Sequence, residues 1–470
     1  MTVISGARRR RPLHMLVVGV LALALVGCSN AKDAKDDSPA QSANTPAPVV
    51  PSEVPPAGDL TVKWSVPAND SPRNAVFGRW ITKDALYVGT WTDGLVRYSA
   101  SDGKAEAVPL PGPEPRICGM STSASETLAA VAWGAGDTCS NVGLVDLTTG
   151  KLRFTVPFTL LWNDGRPGRT LRYGTTMQLV VTDHMVVAAG DGDVHTYDIA
   201  DGKLRWSWSA KAIGLEQAFT TGALADNSTV LVSVWPMDAQ RAGWGASLDA
   251  ATGAMRWGGP VVPRGAERIS AVSLDPPAFS VLHTKGLARS IVVVDDKGRP
   301  KRTIEVNKPD DPDASPETFR LGRSQEESLL HVAAGVFYTR TEIGRGKDER
   351  VGVKAVDLKT GATKWTTPLP GKEDDYHSLL DLRVIDAGPA GVHVLQIGDS
   401  YDKEPFTVWW LSPQDGTWRK WASGPSPDKV FEGYSLWYAW FDGGIYLTST
   451  SISPGQPIAV RIADAARPPV

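Results

Sequence analysis

The sequence predicts an all-β chain: an eight-bladed β-propeller of four-stranded antiparallel blades, with the N-terminal strand completing the last blade. Three observations predict it. A short phrase recurs, as LVDLTTGKLRF at 144–154, YDIADGKLRW at 197–206, SLDAATGAMRW at 247–257 and AVDLKTGATKW at 355–365. The copies, complete and degenerate, place a glycine at 103, 150, 202, 253, 298, 361 and 416, a mean period of about 52 residues, which is the range of stacked blades. Upstream of each phrase lie further short apolar runs, such as HMVVAAG before Gly202 and GVFYTRT before Gly361, and no stretch carries a competing helical period.

Taken in chain order, the first element is an export signal, residues 1–27. Arg8 to Arg11 form a basic flank, and the apolar run 16–26 is too short to span a bilayer, which takes roughly 20 residues. The segment ends in LVGC, which resembles a bacterial lipobox. That resemblance implies diacylglycerol on the thiol of Cys28, and two acyl chains suffice for stable anchoring. Residues 28–58, rich in Pro, Ala, Ser and Asp, lack the large apolar side chains needed to offset ordering entropy, and read as a tether. The propeller is expected over 59–470.

Within a phrase, alternating residues lead into a turn whose Asp and Thr bond their own backbone. Glycine supplies the positive φ, and a second strand leads out to an aromatic residue. Four copies keep Asp four before the glycine and an aromatic four after: Asp146, Gly150 and Phe154; Asp198, Gly202 and Trp206; Asp249, Gly253 and Trp257; Asp357, Gly361 and Trp365. The copies at Gly103, Gly298 and Gly416 are degenerate, and in the last Trp421 stands one place late. The C-terminal run 443–465 has two middle strands but no outer one, while LTVKWSVP at 60–67, with Trp64, has the form of the missing strand. Seven phrases and this composite make eight blades.

The phrase resembles the tryptophan-docking motif, Ala-x-Asp-x-x-Thr-Gly-Lys-x-x-Trp, of pyrroloquinoline-quinone-type propellers, across nearly all of the expected domain. The resemblance implies that these aromatic residues join blade to blade, the indole packing on its neighbour while its N–H finds a backbone carbonyl. Quinoprotein dehydrogenases of this type hold their cofactor against a vicinal Cys–Cys pair, with Ca²⁺ on Glu, Asn and Asp. No two cysteines are adjacent here, so no quinone is expected and no cofactor residue carries over.

Composition and motifs exclude other classes. Cleavage after residue 27 removes four Arg and no acid, taking the net charge from −3 to −7, the wrong sign for a nucleic-acid binder. No GxSxG, HExxH or phosphate-binding loop occurs, and the histidines, of which His184 and His195 are the nearest pair, lack metal-ligand spacing. No catalytic residue and no metal ligand are therefore assigned. The acidic stretches 310–317 and 372–377 lack the form of a Ca²⁺ loop and read as solvated loop tips. Cys118 and Cys139 remain after lipidation, an even pair in an exported chain, expected as a disulfide with two buried thiols as the alternative. Six tryptophans crowd into 409–440, which makes Trp437 and Trp440 the first candidates for a binding face, against inter-blade packing as the plainer role.

Exported, lipid-anchored propellers without quinone ligands resemble the BamB-like scaffolds of outer-membrane assembly. That implies a monomeric, non-catalytic, extracytoplasmic lipoprotein held to the bacterial membrane through Cys28 and binding a protein or envelope component. A quinone-dependent dehydrogenase and a small-molecule or glycan sensor are the rival classes. The Ala-, Arg-, Gly- and Val-rich usage and the long tether suit a high-GC Gram-positive lipoprotein.

Overall fold

A computed structural model of the chain describes residues 58–67, 76–90, 92–121, 127–135, 138–161, 177–216, 218–236, 242–262, 266–283, 289–307, 331–343, 350–370, 382–397, 405–425, 436–449 and 457–464. The signal segment, Cys28 and the tether up to residue 57 lie outside them, as do both acidic stretches. The described residues form eight four-stranded antiparallel sheets and one 3₁₀ turn, Ala210–Ile213. In chain order, blade 1 covers 76–107, blade 2 116–161, blade 3 178–209, blade 4 218–260, blade 5 266–307, blade 6 331–368 and blade 7 382–423. Blade 8 takes three strands from 436–464, and its fourth is Leu60–Pro67, paired antiparallel with Pro457–Asp464 so that Leu60 opposes Asp464.

Among the described residues, eight buried apolar clusters lie one to each junction between neighbouring blades. The cluster joining blades 8 and 1 holds Trp64, Val76, Leu86, Val88, Tyr446 and Ile458. The core is thus divided among the junctions, because each sheet is apolar on both faces and no blade can bury its own. The second strand of each blade shows it best: Ala85–Thr90 and Met185–Gly190 are buried along their whole length.

The recurring phrase makes a joint that the register explains. Gly253 has φ +71°, and the Trp206 indole of the preceding blade lies so close that a Cβ there would meet the ring at 2.6 Å. Its Nε1 donates to Ala250 O, three residues before that glycine, at 2.9 Å. Trp64 covers Gly103 and donates to Ala100 O, and Trp365 covers Gly416 and donates to Pro413 O. Trp257 covers Gly298, and Phe154 covers Gly202 without a proton to give. The two junctions lacking an aromatic residue at this position find substitutes. Arg302 lies over Gly361 and donates to Lys359 O, while between blades 1 and 2 the Tyr87 hydroxyl donates to Leu147 O.

The turns are held as expected. Asp249 Oδ1 accepts from Ala251 N, Thr252 N and Thr252 Oγ1, and Gly253 N donates to Asp249 O. Asp146 and Asp357 bind Thr149 and Thr360 in the same way, and Asp198 accepts from Ala200 N. Arg256 and Arg299 then hold Asp249 and Asp295 at about 2.

A β-bulge follows the turns at Gly150, Gly202, Gly253, Gly298 and Gly361, and one recurs at the same register in the N-terminal strand, each placing one outer-strand residue opposite no partner: Arg153, Arg205, Arg256, Lys301 and Lys364, and Lys63. In blade 7 the bulged residue is Trp421, which accounts for its late position. Cys118, itself a bulge residue of Arg116–Met120, is joined to Cys139 across a Cα–Cα distance of 6.0 Å, and both are buried. The bond closes a separation of 21 residues, worth roughly 3 kcal/mol in the chain-entropy account.

Two outcomes are expected. Trp206→Ala should cost about 3–5 kcal/mol by loss of a buried aromatic residue, read as a lower denaturation midpoint; an unchanged midpoint would show that the indole is not a joint. Folding depresses the carboxyl pKa of Asp249 and Asp295 from 3.8 to about 2, so their stabilisation is complete above about pH 4 and is lost as pH falls towards 2. The slope of melting temperature against pH in that window should be shallower in Asp249→Asn than in the parent.

Candidate functional site

The Trp-rich sector falls at the junction of blades 7 and 8. Asp386 and His393 face each other across the hairpin of Leu382–Gly388 and Gly391–Gln396, and Asp386 Oδ2 lies 3.1 Å from His393 Nδ1. The His393 ring stacks on Trp440 of blade 8, with centroids 4.8 Å apart and planes at 16°. Trp421 stands edge-on to both, at 5.5 Å from His393 and 6.1 Å from Trp440. Trp421 and Trp440 pack against the cluster of Leu395, Val408, Ile445 and Leu447. The carboxylate side chain of Asp386 is 46% exposed, whereas His393 is 13% exposed.

The route of the chain explains why this junction is unlike the others. The outer strand of blade 8 comes from the N-terminus, so no turn links it to Pro457–Asp464 and no turn glycine awaits an indole from blade 7. Freed from that role, Trp421 occupies the bulge and turns onto His393 and Trp440. One face of the Trp440 indole is covered by the imidazole and its flank by Trp421. The Asp386 carboxylate is open to a visitor, and the Trp440 ring stays partly exposed. Trp437 lies on the same inner strand, Leu436–Phe441, and its side chain falls outside the described residues.

The surrounding polar groups are tied into the fold. Trp409 Nε1 donates to Gln396 Oε1, Trp418 Nε1 donates to Thr367 Oγ1 of blade 6, and Arg419 lies over the Trp410 ring. His331, on the inner strand of blade 6, is pushed down in pKa by burial, opposed by the Asp386 charge and by a bond from its imidazole to the Val384 backbone. Asp386 thus bonds the His393 ring and lies close enough to His331 for its charge to be felt there. Asp386–His393 escaped the sequence reading because the two residues meet only once the hairpin register is known.

The other candidate positions are dispersed. His195 pairs with Ala188 rather than with His184, packs edge-on to Phe158 at 4.9 Å, and is lowered in pKa by burial against the pull of Asp193. Among the described residues, no group of three or more His, Cys, Asp or Glu side chains is placed to hold a metal ion, and no helix is long and apolar enough to cross a membrane. The docking residues Asp146, Gly150, Asp198, Gly202, Asp249, Gly253, Asp357 and Gly361 all lie at one end of the sheets, in the turns between third and outer strands.

The chain matches no protein-family model and no curated protein. Among solved structures it is similar to BamB from Moraxella catarrhalis, at 15% identity over 86% of this chain and 99% of that one, with a TM-score of 0.45. It is also similar to quinohemoprotein alcohol dehydrogenase from Comamonas testosteroni, at 12% identity over 87% and 77% of the two chains and a TM-score of 0.47. A third is the C-terminal WD40 domain of Sif2, at 11% identity over 87% and 99%, with a TM-score of 0.47. These likenesses concern fold alone, and the eight-bladed propeller itself is read from this chain's own sheet order.

Proposed function

We propose that this protein is an extracytoplasmic lipoprotein, anchored to the bacterial membrane through Cys28, whose propeller is a non-catalytic scaffold binding a protein or envelope component. The observation that carries the reading is the difference between the two ends of the blades. At one end, which we term the turn end, hairpins are short, such as 182–184, closed by Thr182 N donating to Met185 O, and the glycine turn 199–203, both in blade 3. At the other, the loop end, second strands end and third strands begin, and each blade's outer strand ends where the next blade's inner strand begins; the connections 308–330 and 371–381 lie outside the described residues. Variable connections on a rigid frame are where binding residues concentrate.

The buried Cys118–Cys139 disulfide supports an exported location, since such bonds persist in oxidising compartments. The lipobox-like LVGC supports the anchor. The quinone-dependent dehydrogenase is the rival with a direct assay: dye reduction after reconstitution with the quinone would favour it and displace the scaffold.

Photo-crosslinking residues on intact cells test the scaffold. From Asp191 and Glu216, exposed at the loop end of blade 3, one recurrent adduct is expected, and none from Thr149 or Asp201 at the turn end. Equal capture from both ends, or none from the loop end, would contradict it. Cys28→Ala should abolish palmitate labelling and release the protein from the membrane fraction; a variant that stays bound would remove the anchor from the account.

A further inference from the structure

The outer wall carries a pattern that joint-making leaves unexplained. The bulge residues Lys63, Arg153, Arg205, Arg256, Lys301 and Lys364 are all cationic and exposed, at one register on six blades. Val62, Leu204 and Met255 are the exposed large apolar side chains among the described residues, at 41%, 56% and 44%. Each stands immediately before one of these cations and two before a docking indole. Bulges and cations on an edge strand deter sheet-to-sheet pairing, but an exposed apolar neighbour works against that purpose. The combination calls for a surface that takes both.

An anionic bilayer surface does so. Basic side chains near it gain about 1 kcal/mol each, and apolar ones enter the boundary between headgroups and acyl chains. The register lies just past the turns. Val62 belongs to blade 8 and Leu204 and Met255 to blades 3 and 4, on opposite sides of the eight, so one plane meets all three only when the propeller stands on its turn end. The chain also enters there: Leu60 opposes Asp464, the last residue of the third strand, so the tether from Cys28 joins the propeller at that end. Arg153 and Arg256 share their charge with Asp146 and Asp249, leaving more of the attraction to Lys63, Arg205, Lys301 and Lys364.

We infer that the turn end docks on an anionic phospholipid surface through this apolar–basic belt, which directs the loop end away from the membrane. The inference rests on the reading of an anchored propeller and adds the orientation in which it is held.

The test uses the full chain carrying Cys28→Ser, so that no acyl chain contributes, with vesicles of phosphatidylcholine alone or with about one-third phosphatidylglycerol. Cosedimentation is expected with the anionic vesicles only, and should weaken as salt screens the charges. The triple variant Lys63→Glu, Arg205→Glu, Arg256→Glu should bind at least about tenfold more weakly, and Leu204→Ser with Met255→Ser should weaken binding at unchanged salt dependence. The milder Lys63→Gln, Arg205→Gln, Arg256→Gln set gives the same reading if charge reversal disturbs folding, which melting curves report. A parent that ignores anionic vesicles, or a folded triple variant that binds like the parent, overturns the inference. Palmitate labelling of the wild-type chain reads the anchor separately: labelling without vesicle binding sinks the docking alone, and vesicle binding without labelling sinks the anchor alone.

Discussion

The structure depends on one contact: an aromatic ring laid over a glycine of the next blade. It sets two requirements at once. The glycine must adopt positive φ to close its turn, and it must lack a Cβ so that the ring can settle, as at Gly253 beneath Trp206. The indole N–H then satisfies the carbonyl three residues before the glycine, which the tight turn leaves without a strand partner. A four-stranded sheet cannot bury both of its faces alone, and these joints add to the apolar clusters that hold the blades side by side.

The exceptions show which part of the contact matters. Arg302 lies over Gly361 by its aliphatic stem and guanidinium and reaches Lys359 O, while Tyr87 supplies a hydroxyl to Leu147 O where blade 1 has Ala107 in place of an aromatic residue. A donor aimed at the turn carbonyl recurs across different side chains, whereas Phe154 keeps the cover and loses the donor. Both halves contribute, and neither is indispensable at every junction. Blade 7 is the instructive case: with no turn glycine ahead of it, its tryptophan joins His393 and Trp440 instead.

Much of this was legible in the residues. The spacing of the seven glycines, with an aspartate four before and an aromatic residue four after in four of the copies, gives the blades, their number and the turn geometry, because turn chemistry is local. Trp64 could be placed as an outer strand because the last repeat ends without one. The bulges were not legible: Lys63 and Arg205 look like ordinary solvent-facing residues until pairing shows that nothing opposes them. The substitutes Arg302 and Tyr87, and the pairing of Asp386 with His393, depend on contacts between strands whose register no local pattern reveals. The proposed binding face was the least legible, since connections between strands are less constrained by the fold than the strands they join.

The two ends of the molecule divide the work. Glycine turns and docked rings make one end regular, and the long connections leave from the other. The most direct measurement of the central contact is a double-mutant cycle between Trp206→Ala and Gly253→Ala. If the ring and the bare Cα form one joint, the two losses should fall short of additivity by about 1–3 kcal/mol. Additive losses would mean that the glycine serves its turn alone and that the blades are held together by something else.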